Sequence, residues 1–567
     1  MGSDEEEGLE YGSAELMKPA PGHAPPSVDR RRRLLLGAAV AAGGVVVAGA
    51  LAERFGARSP SSGSATTSVP PIDSSGPSSS TVADGRNIIQ IENARPGTSA
   101  FSVRMEEPWV DLLHAWCDHD SAHQGDIVTI YATTQAPTFE AEAFRFGIYG
   151  GATGRQIWHA TDPVVGVNQA PPTIDPVTNM RSCAHWTPSL QVAITSEWTP
   201  GMYMFRLTSA DGGATFVPLT VLDDRQADLL VVSAITTWNA YNTYGGASLY
   251  DGEGGRSKVV TFDRPYHASG SGHFFGGEYE LVQLVESLGI DVAYTTNIDL
   301  HARPEQIEAG GYKAVVSLAH DEYFSVPIRR SLEAARDRGV NLLFLGANAG
   351  FRRIRLEESP HGPHRLEVNY RNPEQDPLHG VGDQSLVTAE WRSAPAAEPE
   401  ASLIGNYYES NPVKADMVVV APDSWVFAGT GLLKGDRFKD LVQNEYDRVT
   451  PEVKGTPADI EVLCHSPLTC RGQKSFADVT YYTAPSGGGV FATGTLWWER
   501  QLGPLCTDPG SSHTDECHIR RITANVLELF VTGPAGAIHP SMSNLDELGI
   551  TAGYVAHPPG QVDEKSS

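Results

Sequence analysis

Asp228-Leu-Leu-Val-Val-Ser-Ala234 is the stretch that decides the fold of this chain. It is a continuous apolar run, which is typical of a strand buried on both faces of a parallel sheet. Similar runs follow at 312–319 and 340–347, with a further strand predicted at 290–294. Helical periods lie at 280–288 and 327–337, and a closing helix is predicted at 519–530. Strands and helices that alternate at this spacing predict βαβ units around a doubly wound parallel sheet.

The region from residue 87 to about 222 has a different pattern. Short apolar runs are separated by turn residues, as at 126–132, 143–149, 191–195 and 201–207. Many short strands at regular spacing are typical of an antiparallel β-sandwich, here of immunoglobulin type. The predicted fold class is therefore α+β multidomain, with an Ig-like N-terminal β-sandwich at 87–224. A doubly wound α/β domain follows at 225–533 and a tail at 534–567.

The residues before the first predicted domain form a different kind of segment. Residues 1–29 are acidic and Pro-rich, and we expect them to be disordered. Four arginines at 30–33 precede an uncharged apolar run at 34–52, which is the pattern of an export signal. The paired arginines before Leu34 resemble a twin-arginine signal, and an uncleaved membrane anchor is the alternative. Residues 53–86, rich in Ser, Pro and Thr, predict a flexible linker.

Net charge and location restrict the partners. The formal net charge of −27 argues against nucleic acid, because phosphate binding needs a basic surface. The predicted location is exported, either extracellular or at the cell surface. Tethering to a membrane or cell wall through the N-terminal segment remains open, as does assembly into a homo-oligomer.

The cysteines agree with an exterior location. The chain has 6 cysteines and no CxxC motif, which in an oxidising compartment favours disulfides over zinc. Local spacing suggests the pairs Cys464–Cys470 and Cys506–Cys517, which leaves Cys117–Cys183. Sequence alone permits other pairings.

The chemistry is expected at the carboxyl ends of the predicted strands, where ligands bind in doubly wound sheets. Three strand ends carry Tyr, His, Asp, Glu and Asn side chains, at 238–250, 320–325 and 346–350. Such side chains suit a metal site or an acid/base site. No G-x-S-x-G elbow is present for a nucleophilic triad, and no P-loop or GxGxxG lies between a strand and a helix.

These motifs resemble the large (β) subunit family of N,N-dimethylformamidase, in its C-terminal domain. The resemblance rests on W-x-A-Y-N-x-Y-G-G-x-S-L-Y at 238–250, H-x-E-Y-x-S at 320–325 and G-x-N at 346–348. Later stretches at 425–432, 444–448 and 487–497 agree with it, so that it runs from about residue 229 to 530. It implies a sheet like that of class I glutamine amidotransferases, with a mononuclear iron in place of the cysteine nucleophile.

The resemblance also implies roles for individual residues. The iron ligands would be Tyr241, Tyr250 and Glu322, with Tyr244 in the same loop as an alternative ligand. Catalytic roles would belong to His320, Asn348 and Glu445. The substrate pocket would be lined by Trp238, Tyr244, Tyr323 and Tyr482. Asp321 stands where the family has proline, and would add a charge beside the metal.

This set of residues is chemically coherent. Two phenolates and a carboxylate are hard oxygen ligands that suit Fe3+, which can act as a Lewis acid on an amide carbonyl. Asn348 and His320 could donate to the developing oxyanion, and Glu445 could pass a proton to the leaving amine. The sequence thus predicts an exported iron-dependent hydrolase of C–N bonds, with a small amide or amide-bearing molecule as its substrate. The alternative is a non-catalytic protein on the same scaffold that binds the cell surface or cell wall.

Overall fold

The computed structural model describes residues 85–102, 111–502 and 515–550. The predicted disordered segment, the export signal or anchor and most of the linker lie outside the described residues, as do Cys506 and the end of the predicted tail. Within the described ranges, no helix is long and apolar enough to cross a membrane. The architecture mixes helices and strands, with mostly β-sheet and few helices.

Two main sheets, a separate two-stranded sheet and one short helix make up the region before residue 223. The elements are α1 (Ile88–Asn93), β1 (Leu113–Cys117), β2 (Ser121–His123), β3 (Ile127–Thr134), β4 (Thr138–Tyr149), β5 (Ala152–His159), β6 (Val164–Val165), β7 (Thr173–Ile174), β8 (Arg181–Ser182), β9 (Leu190–Ala193), β10 (Gly201–Ser209) and β11 (Ala214–Leu222). Strands pair in the order β1-β3-β9 in one sheet and β2-β11-β10-β4-β5 in the other, with β6 paired to β4. Strands β7 and β8 pair with each other in the two-stranded sheet. A hydrophobic core lies between the two main sheets. The immunoglobulin-type assignment stays a prediction.

Strand β10 shows how this region joins the rest of the chain. Side chains alternate between the two faces of a strand. Tyr203 and Phe205 belong to the core between the two N-terminal sheets, whereas Met202 and Met204 belong to the core of the following region. The six-stranded sheet is therefore buried on both faces here, which explains why 202–205 of β10 is a continuous apolar run.

The central sheet and its helices follow. The elements are β12 (Leu229–Ser233), α2 (Ile235–Tyr241), β13 (Val259–Thr261), α3 (Glu278–Ser287), β14 (Val292–Thr296), α4 (Asn297–Ala302), α5 (Gln306–Ala309), β15 (Ala314–Ser317), β16 (Tyr323–Ser325), α6 (Val326–Asp337) and β17 (Asn341–Phe344). The next are β18 (Arg352–Ser359), β19 (Gly362–Val368), β20 (Ala389–Glu390), α7 (Ala401–Ile404), β21 (Tyr407–Val418), β22 (Arg437–Arg448), β23 (Glu461–Cys470), β24 (Gln473–Thr483), β25 (Gly489–Ala492), α8 (Asp515–Phe530) and α9 (Leu545–Leu548). Short 3-10 helices lie at Phe274–Gly276, Pro373–Gln375, Gln384–Leu386, Trp425–Phe427, Glu499–Gln501 and Ala535–Ala537.

The central sheet has the strand order β14-β12-β15-β17-β25-β24-β23. Its first five strands are parallel, and β24 and β23 are antiparallel to their neighbours. Leu229 and Val231 face the core that contains α3, while Leu230 and Val232 face the core that contains α6. The predicted strands β12, β14, β15 and β17 and helices α3, α6 and α8 are thus found. The likeness to glutamine amidotransferases stays a prediction.

The sheet has a point where the chain reverses its direction of winding. Strands β14 and β15 lie on opposite sides of β12, so the crevice between the carboxyl ends of β12 and β15 is a topological switch point. A second sheet, β13-β19-β18-β16, and the β21–β22 pair carry further residues toward it.

Helix α2 corrects the expectation of a loop directly after β12. Its sequence, Ile-Thr-Thr-Trp-Asn-Ala-Tyr, is poor in strong helix formers and has no side-chain cap. Residues 235–240 are nonetheless all buried. Burial against neighbouring elements therefore overrides the weak local preference.

Two predicted disulfides are wrong, because Cys117, Cys183, Cys464 and Cys470 are free. Cys464 and Cys470 lie on the same strand β23, and six residues of extended chain span about 20 Å. A disulfide needs Cα atoms within about 7 Å of each other. Cys117 faces the N-terminal core, whereas Cys183 packs on the other face of β1, beside Trp116. Cys517 is disulfide-bonded, and its predicted partner lies outside the described residues.

Candidate active site

Tyr241 and Tyr250 are held side by side by α2 and the loop that follows it. Tyr241 is the last residue of α2, and the Leu249 N–H donates to the carbonyl of Ala240, which returns the loop to the helix. The buried guanidinium of Arg264 donates to three loop carbonyls, those of Asn242, Tyr244 and Ala247. The two tyrosine rings stack with their centroids 4.2 Å apart.

Glu322 is the point where the two tyrosines meet. It follows β15 and is 1% exposed. The Tyr241 hydroxyl donates to Glu322 Oε2 at 2.8 Å, and the Tyr250 hydroxyl donates to the same oxygen at 2.5 Å. The Tyr323 hydroxyl donates to that of Tyr250 at 2.8 Å. The structure thus brings the three predicted ligands together, with Tyr323 beside them.

His320 lies beside this point, Glu445 lies beside His320, and Asn348 interacts with Glu445. His320 Nε2 lies 3.6 Å from Glu322 Oε2 and 3.5 Å from Glu445 Oε2. His320 Nε2, Asn348 Oδ1 and Glu445 Oε2 are all buried without a hydrogen-bond partner among the described residues. Buried polar atoms are rarely left in this condition, so each of them requires an explanation.

The backbone around Asn348 is fixed in a conformation unusual for a side chain with a Cβ. Its φ is 60°, in the left-handed region. Both carboxylate oxygens of Asp447 accept from the Asn348 N–H, at 2.9 and 3.1 Å. Strained backbone of this kind is concentrated at functional sites.

Burial sets the protonation states in this cluster. Burial lowers the pKa of His320, although the charge of Glu322 opposes the shift. Burial and the charge of Glu322 raise the pKa of Glu445 to about 8. Burial also raises the pKa of Tyr250 well above its usual range. Burial thus favours the neutral form of each of these three groups.

Arg352 is a member of the site that the sequence analysis missed. Its Nε lies 3.4 Å from Glu322 Oε1, and its Nη1 donates to Glu390 Oε1. Strand pairing places it there, because Tyr323 of β16 is in register with Arg352 of β18. No signal for this role was present in the sequence, since Arg352, Arg353 and Arg355 follow one another within four residues and nothing there distinguishes Arg352 from its neighbours.

Asp321 does not face the proposed metal, which corrects the expectation of an added charge there. Its carboxylate accepts from Ser317 Oγ at 2.5 Å and from Asn297 Nδ2 at 3.2 Å. Burial raises the pKa of Asp321 to about 7. Because its side chain is bound on the opposite side of the chain from Glu322, the replacement of proline leaves the cluster unchanged.

Three predicted pocket residues have their contacts elsewhere. Trp238 donates from Nε1 to Glu278 at 2.7 Å and lies in the main core. Tyr244 packs with Trp116 in a separate aromatic cluster. Tyr482 donates to the carbonyl of Leu403 and belongs to the core on the other face of the sheet. None of these contacts is to the cluster around Glu322.

The donor set of the cluster fits a hard metal ion. Two phenol oxygens lie within hydrogen-bond distance of one carboxylate oxygen, and a cation there would replace the phenol protons. His320, with its unpaired Nε2, lies beside the same carboxylate oxygen. In the described part of the chain, no group of three or more His, Cys, Asp or Glu side chains is placed to hold a metal. A metal at this point would therefore depend on the tyrosines.

A family model matches most of the described chain. The model is described as N,N-dimethylformamidase beta subunit-like, C-terminal, and it matches residues 140–513, about two thirds of the chain. The match begins within β4, well before residue 229, where the sequence resemblance was placed. The shared core between the six-stranded sheet and α3 explains why the two regions form one family unit.

Two other comparisons add little. No curated protein matches the chain. Among solved structures, the chain is similar to a cycloisomaltooligosaccharide glucanotransferase of Paenibacillus sp. complexed with cycloisomaltoheptaose. The identity is 8% and the TM-score 0.16, over 54% of this chain and 61% of that chain. A similarity this low indicates neither fold nor function.

Proposed function

We propose, from the premise that this chain belongs to the N,N-dimethylformamidase beta subunit-like, C-terminal family, that it is an exported iron-dependent hydrolase of amide C–N bonds. The reaction adds one water to an amide and releases a carboxylic acid and an amine. The observation that carries the proposal is the meeting of Tyr241, Tyr250 and Glu322 at one buried carboxylate oxygen. Family membership supports hydrolase chemistry, and the donor set supports the metal.

The residues at the meeting point are the ones that would hold the metal. A ferric ion held by Tyr241, Tyr250 and Glu322 would supply a Lewis acid for an amide carbonyl. Arg352, through its contact with Glu322 Oε1, keeps the second carboxylate oxygen turned away from the tyrosines. Tyr323 fixes the hydroxyl of Tyr250.

The remaining residues of the cluster handle the substrate and the proton. Asn348 and His320 lie where they can orient the amide carbonyl and stabilise charge on its oxygen. Glu445 faces His320 with one unpaired oxygen, while its other oxygen accepts from Asn411 Nδ2 at 3.3 Å. That unpaired oxygen is the one that can pass a proton to the leaving amine.

Iron content and colour test the metal. We expect the purified full chain to contain equimolar iron and to show a broad visible band from tyrosinate-to-iron charge transfer. Both should be lost when Tyr241→Phe is combined with Glu322→Ala. Tyr482→Phe is the matched control, because it removes a buried tyrosine hydroxyl whose bond to Leu403 lies outside the cluster. It should keep both iron and colour.

Amide hydrolysis tests the reaction. Release of amine from simple N-alkyl amides should follow iron loading and disappear in the double variant. A metal-free protein that cannot be reconstituted with iron, and that is pulled down by wall material, would instead favour the non-catalytic cell-surface protein. Full activity in the double variant would refute the iron site.

Export rests on the sequence of residues 30–52. Replacing all four arginines at 30–33 by lysine removes every arginine pair that a twin-arginine pathway could recognise and keeps the positive charge. We expect this variant to stay inside the producing cell while the wild type reaches the exterior, as measured by immunoblots of cell fractions. Equal secretion of both would contradict this route.

A further inference from the structure

Arg371 lies beside the cluster and has no role in the chemistry derived so far. Its guanidinium carbon is 4.0 Å from the ring centroid of Tyr250. The ring of Tyr241 stacks on Tyr250 at 4.2 Å, so Arg371 and Tyr241 occupy its two faces. This places a positive charge on the outer side of the tyrosine whose hydroxyl bonds to Glu322.

Two nitrogens of Arg371 are buried and unpaired. Nε and Nη2 have no hydrogen-bond partner among the described residues. No carboxylate of the described residues forms an ion pair with Arg371 either. A buried N–H group without an acceptor costs free energy of desolvation. We therefore expect these two N–H groups to bind an acceptor that the described residues do not supply.

Another arginine of this chain binds a carboxylate through the same two nitrogen atoms. Arg155 binds both oxygens of Glu92 through the equivalent atoms, with Nε at 2.6 Å and Nη2 at 3.0 Å. These two N–H groups are parallel and match the spacing of carboxylate oxygens. The free edge of Arg371 is therefore the shape complement of a planar carboxylate.

The backbone holds Arg371 in place at some cost. Its φ is 59°, in the left-handed region, and its N–H donates to Asn369 Oδ1 at 3.0 Å. Arg256 donates to the carbonyls of Asn369 at 3.3 Å and Tyr370 at 2.6 Å. These contacts fix the backbone of the turn at 369–371 and with it the position of Arg371 beside Tyr250.

We propose that Arg371 binds a carboxylate of the substrate, so that the amides hydrolysed at this site are acidic ones with a carboxylate close to the scissile bond. This inference rests on the proposed function, since it names the substrate class of the same site. Arg256 is a positioning residue, which acts through the turn at 369–371.

Binding to the metal-free full chain tests this without relying on activity. The probes are N-benzoylglycine and its neutral counterpart N-benzoylglycinamide, compared by calorimetry. We expect the wild type to prefer the acid, and Arg371→Met to reduce that preference by about tenfold to a hundredfold, the range for a charged hydrogen-bonded pair. Arg371→Lys keeps the charge without the parallel edge, and we expect it to recover only part of the preference.

Arg353→Met is the matched control, because Arg353 is also a half-paired arginine, over the ring of Trp391, with an unpaired Nε. It should leave the preference for the acid unchanged. Equal binding of both probes by the wild type, binding of neither, or no effect of Arg371→Met would overturn the proposal. Inorganic phosphate as tight as N-benzoylglycine would overturn the assignment to carboxylates.

Kinetics separate this inference from the proposed function. With iron-loaded protein, Arg371→Met should raise KM for the acidic amide at least tenfold more than for the neutral amide. Arg371-dependent binding without hydrolysis of any amide would keep the carboxylate subsite and refute the hydrolase. Hydrolysis of both amides with equal sensitivity to Arg371→Met would keep the hydrolase and refute the subsite.

Discussion

Two buried polar clusters in this chain have similar residue types but opposite hydrogen-bonding states. One, the junction network, consists of Glu92, Arg145, Tyr149, Arg155, Glu286 and Tyr294, and it joins the six-stranded sheet to α3. The other is the cluster around Glu322. Both contain carboxylates, a guanidinium and tyrosine hydroxyls that are removed from solvent.

The junction network is complete. Arg145 donates to both oxygens of Glu286, at 2.6 and 3.1 Å, and to the carbonyl of Pro200. The Tyr294 hydroxyl donates to Glu286 Oε1 at 2.6 Å. None of the six residues has an unpaired buried side-chain atom. Pairing of this kind offsets the desolvation of the charges and fixes one sheet against one helix.

The cluster around Glu322 leaves four of its buried atoms without a hydrogen bond, on His320, Asn348, Arg352 and Glu445, and Arg371 beside it adds two more. We infer from this difference that the paired charges of the junction network stabilise the fold, whereas the unpaired atoms around Glu322 are available to a ligand. Where every atom is paired, a substitution should cost stability. Where atoms are unpaired, a substitution should cost function instead.

A pair of identical substitutions gives the largest expected effect. Glu286→Gln leaves the buried charge of Arg145 without its partner, and we expect it to lower the free energy of unfolding by about 3–5 kcal/mol. Glu445→Gln should cost less than about 1 kcal/mol, because burial raises the pKa of Glu445 to about 8 and its Oε2 has no hydrogen bond to lose. Denaturant unfolding of both variants measures the difference. Equal losses would show that the two clusters do not differ in the proposed way.

A third buried carboxylate, that of Glu278, extends the comparison to the pH dependence of the free energy of unfolding. Glu278 accepts from Trp238 and from Ser233 Oγ, yet burial raises its pKa to about 8. A carboxyl whose pKa is higher folded than unfolded keeps its proton in the native state. Its contribution to stability is therefore present at low pH and is lost as pH rises from about 4.5 to 8.

Glu278→Gln removes this titration. We expect the variant to gain stability relative to the wild type across that window, with a slope of at most about 1.4 kcal/mol per pH unit. Unfolding free energies measured at pH 5, 6, 7 and 8 give the slope. Parallel curves for the two proteins would mean that Glu278 ionises normally in the folded state.

The smallest expected effect compares two asparagines in left-handed conformations. Asn348 has a φ of 60° and an unpaired Oδ1, whereas Asn179 has a φ of 57° and donates to the carbonyls of Glu253 and Gly255. Glycine adopts this conformation without steric cost. We expect Asn348→Gly to raise the unfolding free energy by about 0.5 kcal/mol and Asn179→Gly to lower it by a similar amount. Thermal unfolding of both variants checks the sign, and a loss at Asn348 would contradict stored strain there.

Much of the fold could be predicted because its signals are local. The apolar run at 228–234 and the helical period at 327–337 each specify one element and its buried faces. The disulfides failed for the opposite reason, since spacing along the chain said nothing of Cys464 and Cys470 sharing one extended strand. Helix α2 was missed because its burial, not its composition, makes it helical.

The site was predictable in part. The family resemblance identified Tyr241, Tyr250 and Glu322, and the structure brings them together. It also suggested Trp238 and Tyr482 as pocket residues, and their hydrogen bonds lie in the core. A sequence motif does not specify the direction in which a side chain points. That direction decides whether the residue lines a pocket or packs in the core.

The sequence by itself determined the parallel strands and the set of polar residues at their carboxyl ends, because hydrophobic periodicity acts over a few residues. Tertiary structure decided which of those residues meet and which atoms stay unpaired. The hydroxyl of Tyr241 and the carboxylate of Glu322 are separated by 81 positions, and the register of β16 with β18 brings Arg352 to the same carboxylate. The burial and pairing of polar atoms depend on such long-range contacts. The same contacts distinguish Arg371, whose Nε and Nη2 have no acceptor among the described residues, from Arg145, whose guanidinium is fully paired.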